Sequence, residues 1–157
     1  MWSLRFPFPT FSLGVRCSAD AVQAAQFLPV HAGEEGCTAL AHAVWQQLLQ
    51  YRSQSTFCFN LPLQPEGTAH DLKVWQWLCQ LPAGRPARYG DGATALGSSA
   101  QAVGNACGRN PIPLLIPCHR VVGQHSLGGF MQGKQDGPLA IKHWLLQHES
   151  RQASLFD

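Results

Sequence analysis

Apolar positions recur at helical spacing in several stretches and alternate in few. Leu40, Val44 and Leu48 stand one turn apart behind Thr38, predicting a helix capped by Thr38 that runs to about Gln50. Thr68 has the same relation to Leu72, Trp75, Leu78 and Cys79, predicting a second helix that ends near Gln80, before Pro82 and Gly84. A short helix is expected at Tyr89–Leu96, a tight turn at Gly97-Ser98-Ser99, and a further helix from a Ser99 cap to about Cys107. Two short helices joined by a three-residue, glycine-containing turn form a helix-turn-helix pattern. Pro138 suits the first turn of a last helix over Leu139–His148, with Ile141, Trp144 and Leu145 facing inward.

The remaining segments read as strand or loop. Phe6 to Phe11 is aromatic and broken by proline, which suggests short strands, and Thr56–Leu61 reads as a strand from its aromatic and β-branched content. Leu61–Gly67 holds two prolines and a glycine and reads as a linker between domains at 1–66 and 67–157. Leu114-Leu115-Ile116 is a short buried strand or extended segment stopped by Pro117. Gly123, Gly128, Gly129 and Gly133 make a loop of Val121–Lys134.

Composition narrows the function classes. Of the 157 residues 45% are apolar and 13% charged, which excludes both a disordered chain and a charged helical rod. No run approaches the ~18 apolar residues of a membrane span. The prolines near Met1–Pro7 interrupt what a secretory signal needs, so the expectation is a bacterial cytoplasmic protein whose six cysteines are thiols. Net charge is only +2, but it is unevenly placed. Residues 1–83 carry four Lys/Arg against five acids, a net of −1, while residues 84–142 carry six against two, a net of +4. A basic second half beside a near-neutral first half suits a polyanion-binding module on a scaffold. Cys17, His31, Cys37 and His42 lie near one another, but no Cys-x-x-Cys or His-x-x-x-His pair is present, so no metal site is assigned. Cys58, Cys79 and Cys107 read as buried packing thiols.

The sharpest local feature is Ile116-Pro117-Cys118-His119-Arg120-Val121-Val122. A cysteine beside a histidine, after a buried segment and a proline, sits on a constrained turn. A thiol needs a base or a cation to become the nucleophilic thiolate, and His119 can supply that. An acid elsewhere can orient the imidazole.

With Ala102-Val103-Gly104-Asn105-Ala106 and Asn110-Pro111 upstream, and Gly128-Gly129-Phe130, Lys142 and Leu145-Leu146-Gln147-His148-Glu149 downstream, this stretch resembles the O6-alkylguanine-DNA alkyltransferases, also called methylated-DNA–protein-cysteine methyltransferases. The resemblance covers about residues 68–150. It implies an α/β amino-terminal domain of strands plus helix, followed by a mostly helical, winged-helix-like helix-turn-helix domain. It implies that Cys118 accepts the alkyl group irreversibly, once per molecule, with no cofactor. His119 would relay the thiol proton through a water, Glu149 would polarise His119, Tyr89 would assist the departing guanine, and Asn110 would tie the recognition helix to the cysteine loop. Val121, Phe130, Met131 and Lys142 would line the pocket for the extruded base. Ala100, Gln101, Ala102, Gly104 and Arg109 would face DNA, the small residues letting the helix approach the minor groove. The implied partner is alkylated double-stranded DNA, bound by a monomer; clustering on DNA and action on O4-alkylthymine stay open. Two positions depart from the family: Gln101 stands where an intercalating arginine is usual, and His70 where phenylalanine is general. A lesion-binding protein that only marks the base would lack Cys118. A cysteine hydrolase using Cys118 and His119 would leave the helix-turn-helix idle.

Overall fold

The computed structural model describes residues 1–123 and 137–156, with side chains through Ser150. The chain forms two compact units, Met1–Pro65 with Pro111–Pro113, and Glu66–Asn110 with Leu114–Asp157.

The first unit is a three-stranded antiparallel sheet, β1 (Leu4–Pro7), β2 (Ser12–Cys17) and β3 (Val22–Leu28) in that order, with one helix, α1 (Ala39–Ser53). The pairing Leu4↔Val15 and Phe6↔Leu13 places four buried apolar side chains opposite one another on one face. Pro7 is tolerated because it ends an edge strand. The core is aromatic: Phe6 packs edge-on against Trp45 at 4.9 Å, and Phe8 stacks on Phe11 at the same centroid distance. Thr38 caps α1, its side chain accepting from the Ala41 N–H. The buried stripe of α1 is Ala41, Val44, Leu48 and Tyr51, with Leu40 at its half-buried margin.

The strand expected at Thr56–Leu61 does not form. Its backbone finds a side chain in place of a neighbouring strand: Asn60 donates its N–H to Gln47 Oε1 at 2.8 Å and accepts from Gln47 Nε2 at 3.0 Å. Phe59 packs against Tyr51 at 5.4 Å, so the aromatic residues that mimic a strand pattern anchor an irregular segment instead.

The second unit comprises α2 (Ala69–Leu78), β4 (Ala87–Arg88), α3 (Tyr89–Leu96), α4 (Ala100–Gly108), a single 3-10 turn (Cys118–Arg120), β5 (Val121–Val122) and α5 (Pro138–Phe156). Strands β4 and β5 pair in parallel through Ala87↔Val121 and Arg88↔Val122. Thr68 and Asp71 form a full capping box on α2. Helices α3 and α4 are the helix-turn-helix pair. Gly97 ends α3 in the left-handed region at φ 63°, and Ser99 caps α4 by accepting from Ala102 N–H. Gly92 lets α3 lie close to α2, since a Cβ there would stand 2.9 Å from the Trp77 ring. The Trp75 indole donates to the Ala106 carbonyl at 2.9 Å, fixing α4 on α2.

Several finer expectations change. On α2 the inward residues are Asp71, Val74, Trp75 and Leu78, whereas Leu72 and Cys79 are exposed, because the helix turns its Asp71 face toward the core. Cys58 is likewise exposed, and of the three cysteines read as packing thiols only Cys107 is buried. Leu114–Ile116 is buried, but as a turn rather than a strand, with Leu114 at φ 73°. Val121–Val122 belongs to β5, and the rest of the glycine loop, residues 124–136, lies outside the described residues. On α5 the deepest positions are Lys142, Leu145 and Glu149, with Ile141 and Trp144 half-buried. Among the described residues no helix is long and apolar enough to cross a membrane.

Candidate active site

Pro117 cannot continue a helix, and Cys118 follows it at the first position of the 3-10 turn, with Arg120 N–H bonded to Pro117 O at 3.0 Å. The thiol is buried, 2% exposed. Burial pushes it up to about 11, against the pull of an Asn110 hydrogen bond, the Lys142 charge and a backbone hydrogen bond. The resting group at neutral pH is therefore the thiol, which needs a base before it can act as a nucleophile.

His119 and Glu149 are both fully buried, and His119 Nε2 meets Glu149 Oε2 at 2.7 Å. The other imidazole nitrogen, Nδ1, is buried with no hydrogen-bond partner among the described residues. Burial alone would raise Glu149, but the His119 and Arg120 charges and hydrogen bonds outweigh it and hold the carboxyl at about 2. It is an anion throughout the working pH range. Arg120 donates Nε to Glu149 Oε1 at 3.0 Å and Nη2 to Oε2 at 3.2 Å.

Asn110 follows the end of α4 and donates Nδ2 to the Ile116 carbonyl at 2.8 Å, so one side chain joins the end of α4 to the residues before Cys118. Tyr89 opens α3. Burial, and then the charge that Cys107 and Cys118 would carry as thiolates, push its phenol up to about 12, which keeps it a donor. Lys142 is fully buried and gives its ammonium to the Val121 carbonyl at 2.7 Å; burial lowers it to about 8, with Cys118 and Cys107 opposing. The same burial lifts the Cys107 thiol to about 12. The sequence expectation set Lys142 and Val121 in a pocket lining. The structure shows both buried, joined to each other, with the amine gripping the strand that follows the nucleophile.

On α4, Ala100 and Gln101 are exposed, Ala102 and Gly104 half-buried, and Val103 and Ala106 buried. The helix thus presents its first turn outward, and a Cβ on Gly104 would sit 3.8 Å from the Tyr89 ring. An open cleft of about 350 Å³ is lined by Arg88, Tyr89, Gly90, Asp91, Ala100 and Gly123. Arg109 is engaged with protein: its guanidinium bonds both oxygens of the buried Asp71, Nη2 to Oδ1 at 2.6 Å and Nε to Oδ2 at 3.4 Å. Phe130 and Met131 lie outside the described residues. Among the described residues no group of three or more His, Cys, Asp or Glu is placed to hold a metal ion. His31 and His42 instead approach Glu34 and Glu35 at 3.4 and 3.1 Å.

Sequence reasoning overlooked Arg120, Asp71 and Cys107 as parts of this site. Arg120 was in view inside the Pro-Cys-His-Arg run, but nothing local says that it turns onto a carboxylate 29 residues away.

Residues 69–151 match the family described as 6-O-methylguanine DNA methyltransferase, DNA binding domain. The constitutive methylated-DNA–protein-cysteine methyltransferase of Bacillus subtilis is 42% identical over 107 residues, covering 66% of this chain and 62% of that protein. The chain therefore matches less than two thirds of that relative's length. The crystal structure of the Mycobacterium tuberculosis O6-methylguanine methyltransferase superposes over 100% of both chains with a TM-score of 0.79 at 26% identity. That of the Mycobacterium tuberculosis OGT protein in complex with DNA covers 98% of each, with a TM-score of 0.77 and the same identity.

Proposed function

Because the chain belongs to the 6-O-methylguanine DNA methyltransferase family, we propose that it repairs alkylated DNA directly, moving the alkyl group from guanine O6 to Cys118. The observation that carries this reading is the buried His119–Glu149 contact of 2.7 Å beside a buried cysteine on a proline-initiated turn.

The guanine is first taken out of the duplex, since its O6 is unreachable within the stack. The exposed first turn of α4 enters the minor groove, with Gln101 filling the place of the extruded base, and the protein acts as a monomer. The Cys118 proton passes through a water to His119 Nδ1, and the Glu149 anion stabilises the imidazolium that results. The thiolate attacks the alkyl carbon, the sulfur–carbon bond forms, and the carbon–O6 bond breaks. Guanine leaves as Tyr89 donates to it, and Asn110 keeps the cysteine turn registered to α4. Overall the thiol proton ends on guanine, and no further reactant is consumed. The thioether has no leaving group that water displaces, so each molecule acts once.

Mixing the protein with a duplex containing O6-methylguanine should add one methyl group, and peptide mapping should place it on Cys118. Cys118→Ser should abolish transfer and retain DNA binding. Binding with no mass gain would mean a lesion marker. Repeated turnover with unmodified protein would mean a hydrolase.

A further inference from the structure

We infer that Arg120 is a positioning residue for alkyl transfer: its guanidinium clamps the Glu149 carboxylate in the orientation that lets His119 take the thiol proton. This inference rests on the alkyl-transfer reading.

Glu149 is fully buried and has two oxygens to satisfy. Oε2 receives His119 Nε2 at 2.7 Å and Arg120 Nη2 at 3.2 Å, and Oε1 receives Arg120 Nε at 3.0 Å. Without Arg120, Glu149 would lose two charged donors, one on each oxygen, and a buried carboxylate that loses donors rotates or takes a proton. Either outcome spoils the contact with His119. Arg120 also donates Nη1 to the Leu81 carbonyl, just beyond α2, at 2.8 Å. One rigid, planar group therefore joins the end of the α2 region, α5 and the 3-10 turn. Lysine, a flexible point charge, cannot hold this fork.

The covalent arrangement matters as much as the contacts. Arg120 is two residues from Cys118 within the same 3-10 turn, so the clamp and the nucleophile move as one piece. Fixing Glu149 to that turn fixes the acid, the base and the thiol against one another. The charge balance also suits proton transfer. Arg120 and Glu149 together are neutral, so Glu149 remains an anion that does not compete with His119 for the thiol proton. Among the described residues the ionisable groups around this cluster are Arg120 and His119 from the turn, Glu149 from α5, and Cys79 at the end of α2, which faces the Arg120 charge, with Lys142 from α5 beside the thiols. Cys118, Cys107 and Tyr89 lie on the thiol side.

The test is single-turnover transfer by the full chain from an O6-methylguanine duplex and from free O6-benzylguanine, between pH 4 and 8, for wild type, Arg120→Met and Arg120→Lys. Arg120→Met should slow both substrates at least tenfold, toward the low end of the ~10²-fold contributions of general bases. Its acid limb should move to higher pH, because Glu149 loses a neighbouring cation and two donors. Arg120→Lys should be slowed less and keep its acid limb near that of wild type, because the charge remains while the fork is lost. Circular dichroism and melting confirm which variants are folded, and Arg120→Lys carries the test alone if Arg120→Met does not fold. Unchanged rate and acid limb in a folded variant would overturn the inference. So would slowing confined to the duplex, which makes Arg120 a DNA contact, or a rate loss that only tracks the folded fraction. Wild type that accepts no alkyl group would overturn the functional reading itself and is told apart by that result.

Discussion

Glu149 lies outside the contiguous Pro-Cys-His-Arg run, and in the sequence only the family resemblance singles it out. It lies 30 residues from His119, within α5, yet it is fully buried and accepts from both His119 and Arg120. Glu149→Gln keeps the shape and removes the charge that stabilises imidazolium. Transfer should slow by ~10²–10⁴-fold, the range of general-base effects. DNA affinity should barely change, since Glu149 is buried on α5 and not on the exposed turn of α4. Rapid-quench transfer assays with parallel binding titrations measure both, and an undiminished rate would reduce Glu149 to a structural acid. Where the chemistry is contiguous, at Cys118 and His119, the sequence names the pair directly, and the structure buries both side chains. For Arg109, expected to face DNA, the sequence did not reveal the pairing of its half-exposed guanidinium with Asp71, 38 residues earlier in the chain.

At the scale of elements, α3 and α4 were legible because every signal was local: Gly97 with a positive φ, Ser99 accepting from the Ala102 N–H, and short apolar faces. The first turn of α4 leaves Ala100 and Gln101 exposed above a buried Val103. If Gln101 fills the gap left by an extruded base, Gln101→Ala should slow transfer from duplex DNA and spare transfer from free O6-benzylguanine, which needs no extrusion. The unstacking cost involved is a few kcal/mol. Gln101→Arg should tighten DNA binding and steepen its salt dependence, because a cation is added near phosphates. Equal slowing of both substrates by Gln101→Ala, or of neither, would remove Gln101 from base extrusion. The strand expected at Thr56–Leu61 was misread for the opposite reason. Its aromatic pattern is strand-like, but Gln47 on α1 takes its backbone bonds, and no local signal reveals a partner on a helix.

For the molecule as a whole, the buried ionisable groups set a stability window in pH. Glu149, held at about 2, and Asp71, held below its ordinary value chiefly by its Arg109 hydrogen bond, are depressed acids. Their contribution is fully present above the unfolded carboxyl range, about 4, and is lost as pH falls toward 2. Cys118, raised to about 11, and Cys107, raised to about 12, are raised acids. Their contribution is present below the unfolded thiol value of about 8.5 and is lost as pH rises through 11 and 12. Lys142, lowered to about 8, works the other way between about 8 and 10.4, but it is one group against two thiols. Urea midpoints measured from pH 3 to 10 should plateau between about 5 and 8 and fall on both sides. Glu149→Gln should flatten the acid side, and a wild-type acid side with no slope would contradict the buried ion cluster.

The chain by itself determined the capped helices, the helix-turn-helix spacing, the proline-cysteine-histidine turn and the concentration of positive charge in the second half. These depend on backbone preferences and on neighbours within a few residues, which a sequence states directly. Only the tertiary structure decided that Arg120 turns onto Glu149, that Lys142 grips Val121, and that Cys79 and Cys58 are exposed. Burial and long-range pairing depend on how whole elements pack, and a charged side chain enters the interior only where distant groups complete its hydrogen bonds.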